Sequence, residues 1–206
     1  AFSSSVGTAI LFFWGFGATL VLMPFYLVSA RGFSTLEAGL ILAAQPLTLF
    51  VFAPLTGRLT DRIGPRMLVP LGLASTSLGI ALLALVGPNT PIPDLAARLS
   101  LVGFGMALFQ SPNNSTIMGS VPAGKLGTAS AAIVTARRIG QATGIAVAGA
   151  VFTAAGGASV VDLDKTTRAL AISNGLEAAL LVSASAVALA IIAYWRWGAV
   201  KNSVVQ

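Results

Sequence analysis

Apolar residues in this chain come in long unbroken runs rather than in stripes. Six stretches each hold about 20 or more mostly apolar residues, enough for a helix rising ~1.5 Å per residue to cross a ~30 Å hydrocarbon layer. They predict spanning helices over residues 6–28, 36–56, 67–87, 95–121, 127–153 and 174–197. The punctuation between them agrees. Ser34-x-x-Glu37 reads as a capping box opening the second helix, and Asn174-x-x-Glu177 as a similar box opening the sixth. Pro88-Asn89-Thr90-Pro91 breaks the chain before Pro93-Asp94 opens the fourth helix, and Pro122-Ala123-Gly124 separates the fourth from the fifth. Tyr194-Trp195-Arg196-Trp197 closes the sixth as an interfacial belt. Residues 155–173 form the longest connection, a loop with room for a short surface helix.

Composition turns this pattern into a class. Of 206 residues, 56% are hydrophobic and 9% charged, with a mean hydropathy of +0.89. Soluble domains carry roughly 25% charged residues. The fold class expected is therefore an all-α membrane protein, one six-helix transmembrane bundle over residues 1–206. There is no Cys and no His, so disulfides, thiol or imidazole chemistry and the usual zinc or haem ligands are excluded; no metal and no catalytic residue is assigned. The net charge of +6 does not point to nucleic acid, because the bases are strung along connections between apolar runs. The first run is long and lacks a basic leader, so no cleavable signal peptide is expected. The opening at Ala1 rather than Met reads as a processed, trimmed or partial sequence.

An even number of spans puts both ends on one side. The face with the second-to-third and fourth-to-fifth connections and the C-terminal end holds Arg58, Arg62, Arg66, Lys125, Arg196 and Lys201, against Asp61. The opposite face holds Arg31, Arg98, Lys165 and Arg168, against Glu37, Asp94, Asp162, Asp164 and Glu177. The excess of bases on the first face predicts that both termini are cytoplasmic.

Charge is densest in Gly57-Arg58-Leu59-Thr60-Asp61-Arg62-Ile63-Gly64-Pro65-Arg66. Lying between two apolar runs, it is expected as a short hairpin on one membrane face. Gly57 would let two helix ends approach closely, and Gly64-Pro65 would stop one helix so that the next starts near Met67. Asp61 could pair with Arg62 or Arg58, or face the positive end of a neighbouring helix. Its bases alone would hold the segment on the cytoplasmic side and set topology.

Inside the spans, every acid is expected at a helix end or in a loop, with Glu37 and Glu177 as capping residues. Arg137 and Arg138 are the exceptions among the bases. Arg137 lies about 15 Å along the fifth helix, near mid-membrane, where an Arg costs ~2.5–3.5 kcal/mol unless it has a partner or a wet cavity. Adjacent helical positions diverge by ~100°, so one should face the interior while the other reaches a loop, a carbonyl or the interface; alternatively both snorkel. Gly140-x-x-x-Gly144 follows, a close-packing pattern. In the fourth helix Gln110, Asn113 and Asn114 share a face around Pro112, either lining a cavity or gluing helices together. Gln45-Pro46 and Ala53-Pro54 could bend the second helix. Of the first helix's aromatics, Phe12, Phe13, Trp14, Phe16, Phe25 and Tyr26, each either lines a path for lipophilic cations or faces lipid and core.

The order G-x-L-x-D-R-x-G-x-R at Gly57–Arg66 resembles the signature loop of the major facilitator superfamily of transporters, with Pro65 where the family has Arg or Lys. Ala136-Arg137-Arg138-Ile139-Gly140-Gln141-Ala142-Thr143-Gly144 is similar to the penultimate helix of its fourteen-helix drug–proton antiporter branch, with Arg137 matching the family's Arg. Met23-Pro24-Phe25-Tyr26-Leu27 with Ala38-Gly39-Leu40, and Val121-Pro122 with Gly127-Thr128-Ala129-Ser130, resemble connections in its C-terminal half. The resemblance implies half of a major facilitator fold, built as two inverted three-helix repeats that are not legible in the sequence. It implies a gating loop of Gly57, Arg58, Asp61, Arg62, Gly64 and Arg66. It further implies a substrate path near Trp14, Tyr26, Gln45, Gln110, Asn113, Asn114 and Arg137, with Gly140 and Gly144 packing helices.

The function implied is export of lipophilic or cationic small molecules from a bacterial cytoplasmic membrane. It would be driven by a proton gradient, with no bound cofactor. Partners would be the bilayer, the small-molecule substrate, and either an N-terminal six- or eight-helix half or a second copy. A self-pairing half-size transporter, or a non-transport subunit or channel, is the alternative. An enzyme is not expected, since membrane enzymes need His, paired mid-membrane Asp, or a Ser–Lys or Cys nucleophile.

Overall fold

Wherever the chain breaks, a Gly or a Pro does the breaking. The computed structural model describes residues 2–157 and 165–199. Helix α1, Phe2–Phe25, contains Pro24 and runs on through a π-helical turn at Tyr26–Ala30. Gly32, at φ 71°, then turns the chain. Ser34 caps α2, Thr35–Leu42: its hydroxyl accepts from the Glu37 N–H at 3.3 Å, and the Glu37 carboxylate accepts from the Ser34 N–H at 2.8 Å. The expected capping box is therefore present. Helix α2 gives way at Ala43 to α3, Ala44–Ile63, because Pro46 has no N–H to offer the Leu42 carbonyl. Gly64, at φ 78°, stands alone between α3 and α4, Pro65–Ala84. Proline suits the first position of α4, where its missing N–H would be unpaired anyway. Then follow α5, Ile92–Met118, a 3₁₀ turn at Ala123–Lys125, α6, Leu126–Ala154, and α7, Lys165–Ala199.

Three expectations need correction. The charged segment Gly57–Arg66 is not a hairpin loop: α3 stays helical to Ile63, and the turn is Gly64 alone. The polar connection over 155–173 is shorter than expected, since α7 is already helical from Lys165. Asn174 and Glu177 consequently lie inside α7 and cap nothing; Glu177 is an exposed helical carboxylate. Asp162, Asp164 and Lys201, used in the charge count, lie outside the described residues. A further difference concerns the spans. Phe2–Ala30, Thr35–Ile63, Pro65–Ala84, Ile92–Met118 and Thr167–Arg196 are long and apolar enough to cross a membrane. Helix α6 has the length but not the apolarity, because Arg137, Arg138 and Gln141 interrupt a run built mainly of Ala, Gly and Thr.

The helices do not pack in chain order. The α3 helix packs on α5, α5 on α4, α4 on α7, α7 on α1, and α1 on α6. Exchanging α1 with α5, the α2–α3 pair with α6, and α4 with α7 leaves this order unchanged. Each unit makes three helical passes, with α2–α3 counted as one, and this odd number sets the second unit running in the opposite sense to the first. That is the inverted three-helix repeat the sequence did not reveal. At the centre, where α1 crosses α5, Phe12 and Phe109 stack at 4.1 Å between ring centroids. Around them Met23, Leu73, Ile80, Leu99 and Val187 are buried. By contrast α3 buries Thr56 alone and turns Leu47, Phe50, Val51 and Leu55 outward.

Candidate functional site

Two glycines decide how the polar centre is assembled. A Cβ at Gly140 would lie 2.5 Å from the Ile10 carbonyl oxygen, and one at Gly144 would collide with the Trp14 carbonyl. Without side chains there, α6 seats directly on the α1 backbone. Arg137, one turn before Gly140 on the same face, is thereby carried over Phe13, its guanidinium carbon 4.8 Å from the ring centroid. From α5, Gln110 meets it: Arg137 Nη2 donates to Gln110 Oε1 at 3.0 Å. Arg137 Nε is enclosed and has no partner.

One turn along α5 from Gln110, Asn113 is 1% exposed. Neither its amide oxygen nor its amide nitrogen has a hydrogen-bond partner. Asn114 is half-buried on the same side. Pro112 does not break α5; its carbonyl accepts from the Thr116 hydroxyl at 2.8 Å. The centre thus holds a cation with neutral partners only, and one turn along α5 lies an amide whose donor and acceptor are both without a partner. Guanidinium carries five N–H donors, so it can take up an anionic or acceptor-rich group without losing Gln110. Arg138, the next residue, is exposed, in keeping with the ~100° divergence of neighbouring positions.

The other candidate path residues come from α3 and α1. Gln45 on α3 donates its amide to the Met106 sulfur at 3.3 Å, one turn before Gln110 on α5. Trp14 is half-buried, its backbone against Gly140 and Gly144. Tyr26 is fully buried, and its hydroxyl donates to the Gly87 carbonyl at 2.6 Å. In the charged segment Arg58, Asp61, Arg62 and Arg66 are all exposed. Among the described residues Asp61 forms no ion pair with Arg58 or Arg62; the ion pair seen is Arg98 with Asp94, at 2.6 Å. Gly57 does not join two helix ends: a Cβ there would meet Ser111 Oγ on α5 at 3.8 Å.

Phe13 is one of the first helix's aromatics, and only the seating of α6 on α1 shows which of them the guanidinium covers.

Residues 4–145, from α1 through the Arg137–Gly144 run, match the family model of the Major Facilitator Superfamily. The chain belongs to the major facilitator superfamily. Its resemblance to the drug–proton antiporters of that superfamily is matched by its relatives. It is 38% identical over 71% of its length to the uncharacterized transporter YebQ of Escherichia coli K12, covering 32% of that protein. It is 31% identical over 63% of its length to the riboflavin transporter RibZ of Clostridioides difficile, covering 28% of it. With the multidrug efflux pump LfrA of Mycolicibacterium smegmatis it shares 29% identity over 74% of its length, covering 30% of that protein. The chain thus spans about a third of the length of these relatives. As a member of this superfamily with several helices able to cross a bilayer, it is an integral membrane protein.

Proposed function

We propose that this bundle is the C-terminal half of a proton-driven exporter of lipophilic or cationic small molecules, working by alternating access against a second bundle. The observation that carries this is Arg137. A guanidinium held inside a membrane bundle on an amide and an aromatic ring, with an enclosed nitrogen unfilled, is too costly to keep for packing alone. It makes physical sense if a facing bundle and a substrate share an aqueous cleft with it. The likeness to LfrA supports the substrate class.

In this reading the facing bundle is an N-terminal six- or eight-helix half, or a second copy. It supplies the carboxylate that binds and releases the proton, and the counter-charge for a cationic substrate. The exposed charges Arg58, Asp61 and Arg62 at the end of α3 latch the cytoplasmic side. Both termini lie on that side of a bacterial cytoplasmic membrane. The test is dye transport in energised inverted vesicles, with the chain joined to or co-expressed with its facing bundle. Transport should collapse on adding a protonophore and be lost in Arg137→Gln while the protein stays folded. Transport indifferent to the protonophore overturns proton coupling, and steady ion conductance without a gradient marks a channel instead. Size on a detergent column distinguishes self-pairing from pairing with a separate half.

A further inference from the structure

Which end of a substrate this bundle holds follows from the atoms a ligand can reach. Of the Arg137 nitrogens, Nη2 is taken by Gln110 and Nε is enclosed; Nη1 is open and has no partner among the described residues. The Gln110 amide nitrogen is open in the same way. One turn along α6 from Arg137 stands Gln141, half-buried, its amide also open and unpaired among the described residues. Residues four apart share a helical face and are separated by a rise of about 6 Å. Close packing fixes Gln141 there: a Cβ on Gly17 of α1 would lie 2.8 Å from the Gln141 carbonyl oxygen. One turn along α5 from Gln110, Asn114 continues the row on the other side, half-buried and likewise unpaired among the described residues.

This row carries a positive charge and no negative one. Among the described residues Arg137 has no ion pair. Glu37 caps α2, Asp61 is in the last turn of α3, and Asp94 is in the first turn of α5. Glu177 lies two residues from Gly175, which packs on Phe152, about 22 Å along α6 from Arg137. A cation brought to the row would meet like charge, and an apolar group would leave the guanidinium unpaired. A carboxylate does neither, since it accepts from charged and neutral N–H donors together. We propose that this row binds the acceptor end of the substrate, a lipophilic molecule bearing a carboxylate. Arg137 supplies the charge through its open Nη1, and the Gln110 and Gln141 amides supply further donors, with Gln141 setting the preference for an acceptor over a cation. The site rests on the export reading, in which a facing bundle closes the row into a cleft, and it selects lipophilic anions over cations as the exported class.

The test is equilibrium binding to the chain joined to its facing bundle, in phosphatidylcholine nanodiscs with empty nanodiscs subtracted. The probes are 1-pyrenebutanoate and 1-pyrenebutyl-trimethylammonium, which share a fluorescent apolar body and differ in the sign of their charge. The wild type should hold the carboxylate roughly 10- to 100-fold more tightly, the range of one hydrogen bond to a charged group. Arg137→Gln should remove that preference and Arg137→Lys should keep most of it, which separates the charge from a folding effect. Gln141→Leu should weaken carboxylate binding roughly 3- to 10-fold and leave the ammonium probe unchanged, whereas Gln141→Glu should turn the preference toward the ammonium. A wild type that binds both probes alike or prefers the ammonium, or a carboxylate preference that survives Arg137→Gln, overturns the proposal. Vesicle transport of the same two probes keeps the two readings apart. Transport of the ammonium alone overturns the acceptor site and leaves export standing, while tight carboxylate binding without transport of either probe supports the site and overturns export.

Discussion

The arginines near the connections and those in mid-helix are treated very differently. Every nitrogen of Arg98 is engaged: Nε and Nη2 donate to the Asp94 carboxylate at 3.0 and 2.6 Å, and Nη1 donates to the Leu82 carbonyl. Arg31 donates to the Thr90 carbonyl at 2.7 Å and lies over the Phe33 ring. Arg98 ties the start of α5 to the end of α4, and Arg31 ties the end of α1 to the connection between those two helices. Arg137 has one neutral amide, one ring and an idle nitrogen. The lesson is that an arginine with every nitrogen bonded is spent on architecture, while Arg137 keeps hydrogen-bonding capacity that the described residues do not use.

The comparison can be broken or sharpened by substitution. The largest effect is expected from Gly144→Val, which drives a side chain into the Trp14 carbonyl and unseats the helix that carries Arg137. It should cost roughly 3 kcal/mol or more, read as loss of monodisperse protein in detergent. Next, Arg137→Gln should cut transport at least about tenfold, one hydrogen-bonded charge being worth ~1.5–3 kcal/mol, with little change in melting temperature. Arg98→Ala should do the reverse, lowering stability by ~1–2 kcal/mol with transport per folded molecule unchanged. If both substitutions lower stability alike, the contrast fails. Asp61→Asn is expected to weaken efflux more than expression, and equal loss of both points to a folding role. The smallest effect is Ser34→Ala, which removes the cap on α2 at about 1 kcal/mol in thermal unfolding.

What could be read from the chain was whatever local chemistry decides. Ser34 and Glu37 cap α2 because Gly32 has already turned the backbone ahead of them. Asn174 and Glu177 carry an equivalent spacing, but the helix is already under way from Lys165, so the pattern has no free N–H groups to serve. The same misreading made a loop of Gly57–Ile63: polarity marks where a helix leaves the bilayer, not where it ends. Gly64 and Pro65 end it. The centre was legible only as separate parts, because the meeting of Arg137 with Gln110 and Phe13 depends on which helices touch. That order follows from a packing arrangement with no local signature in the sequence.

With a single residue between them, α3 and α4 have no slack. The joint is held further by the Tyr194 hydroxyl of α7, which donates to the Pro65 carbonyl at 3.3 Å. Tilting α3 would therefore drag the head of α4 and, with it, the α7 helix that α4 packs on. Adding one residue before Gly64 would swing that coupling by about 100°, so the length of this joint is as much a part of the machine as its charges.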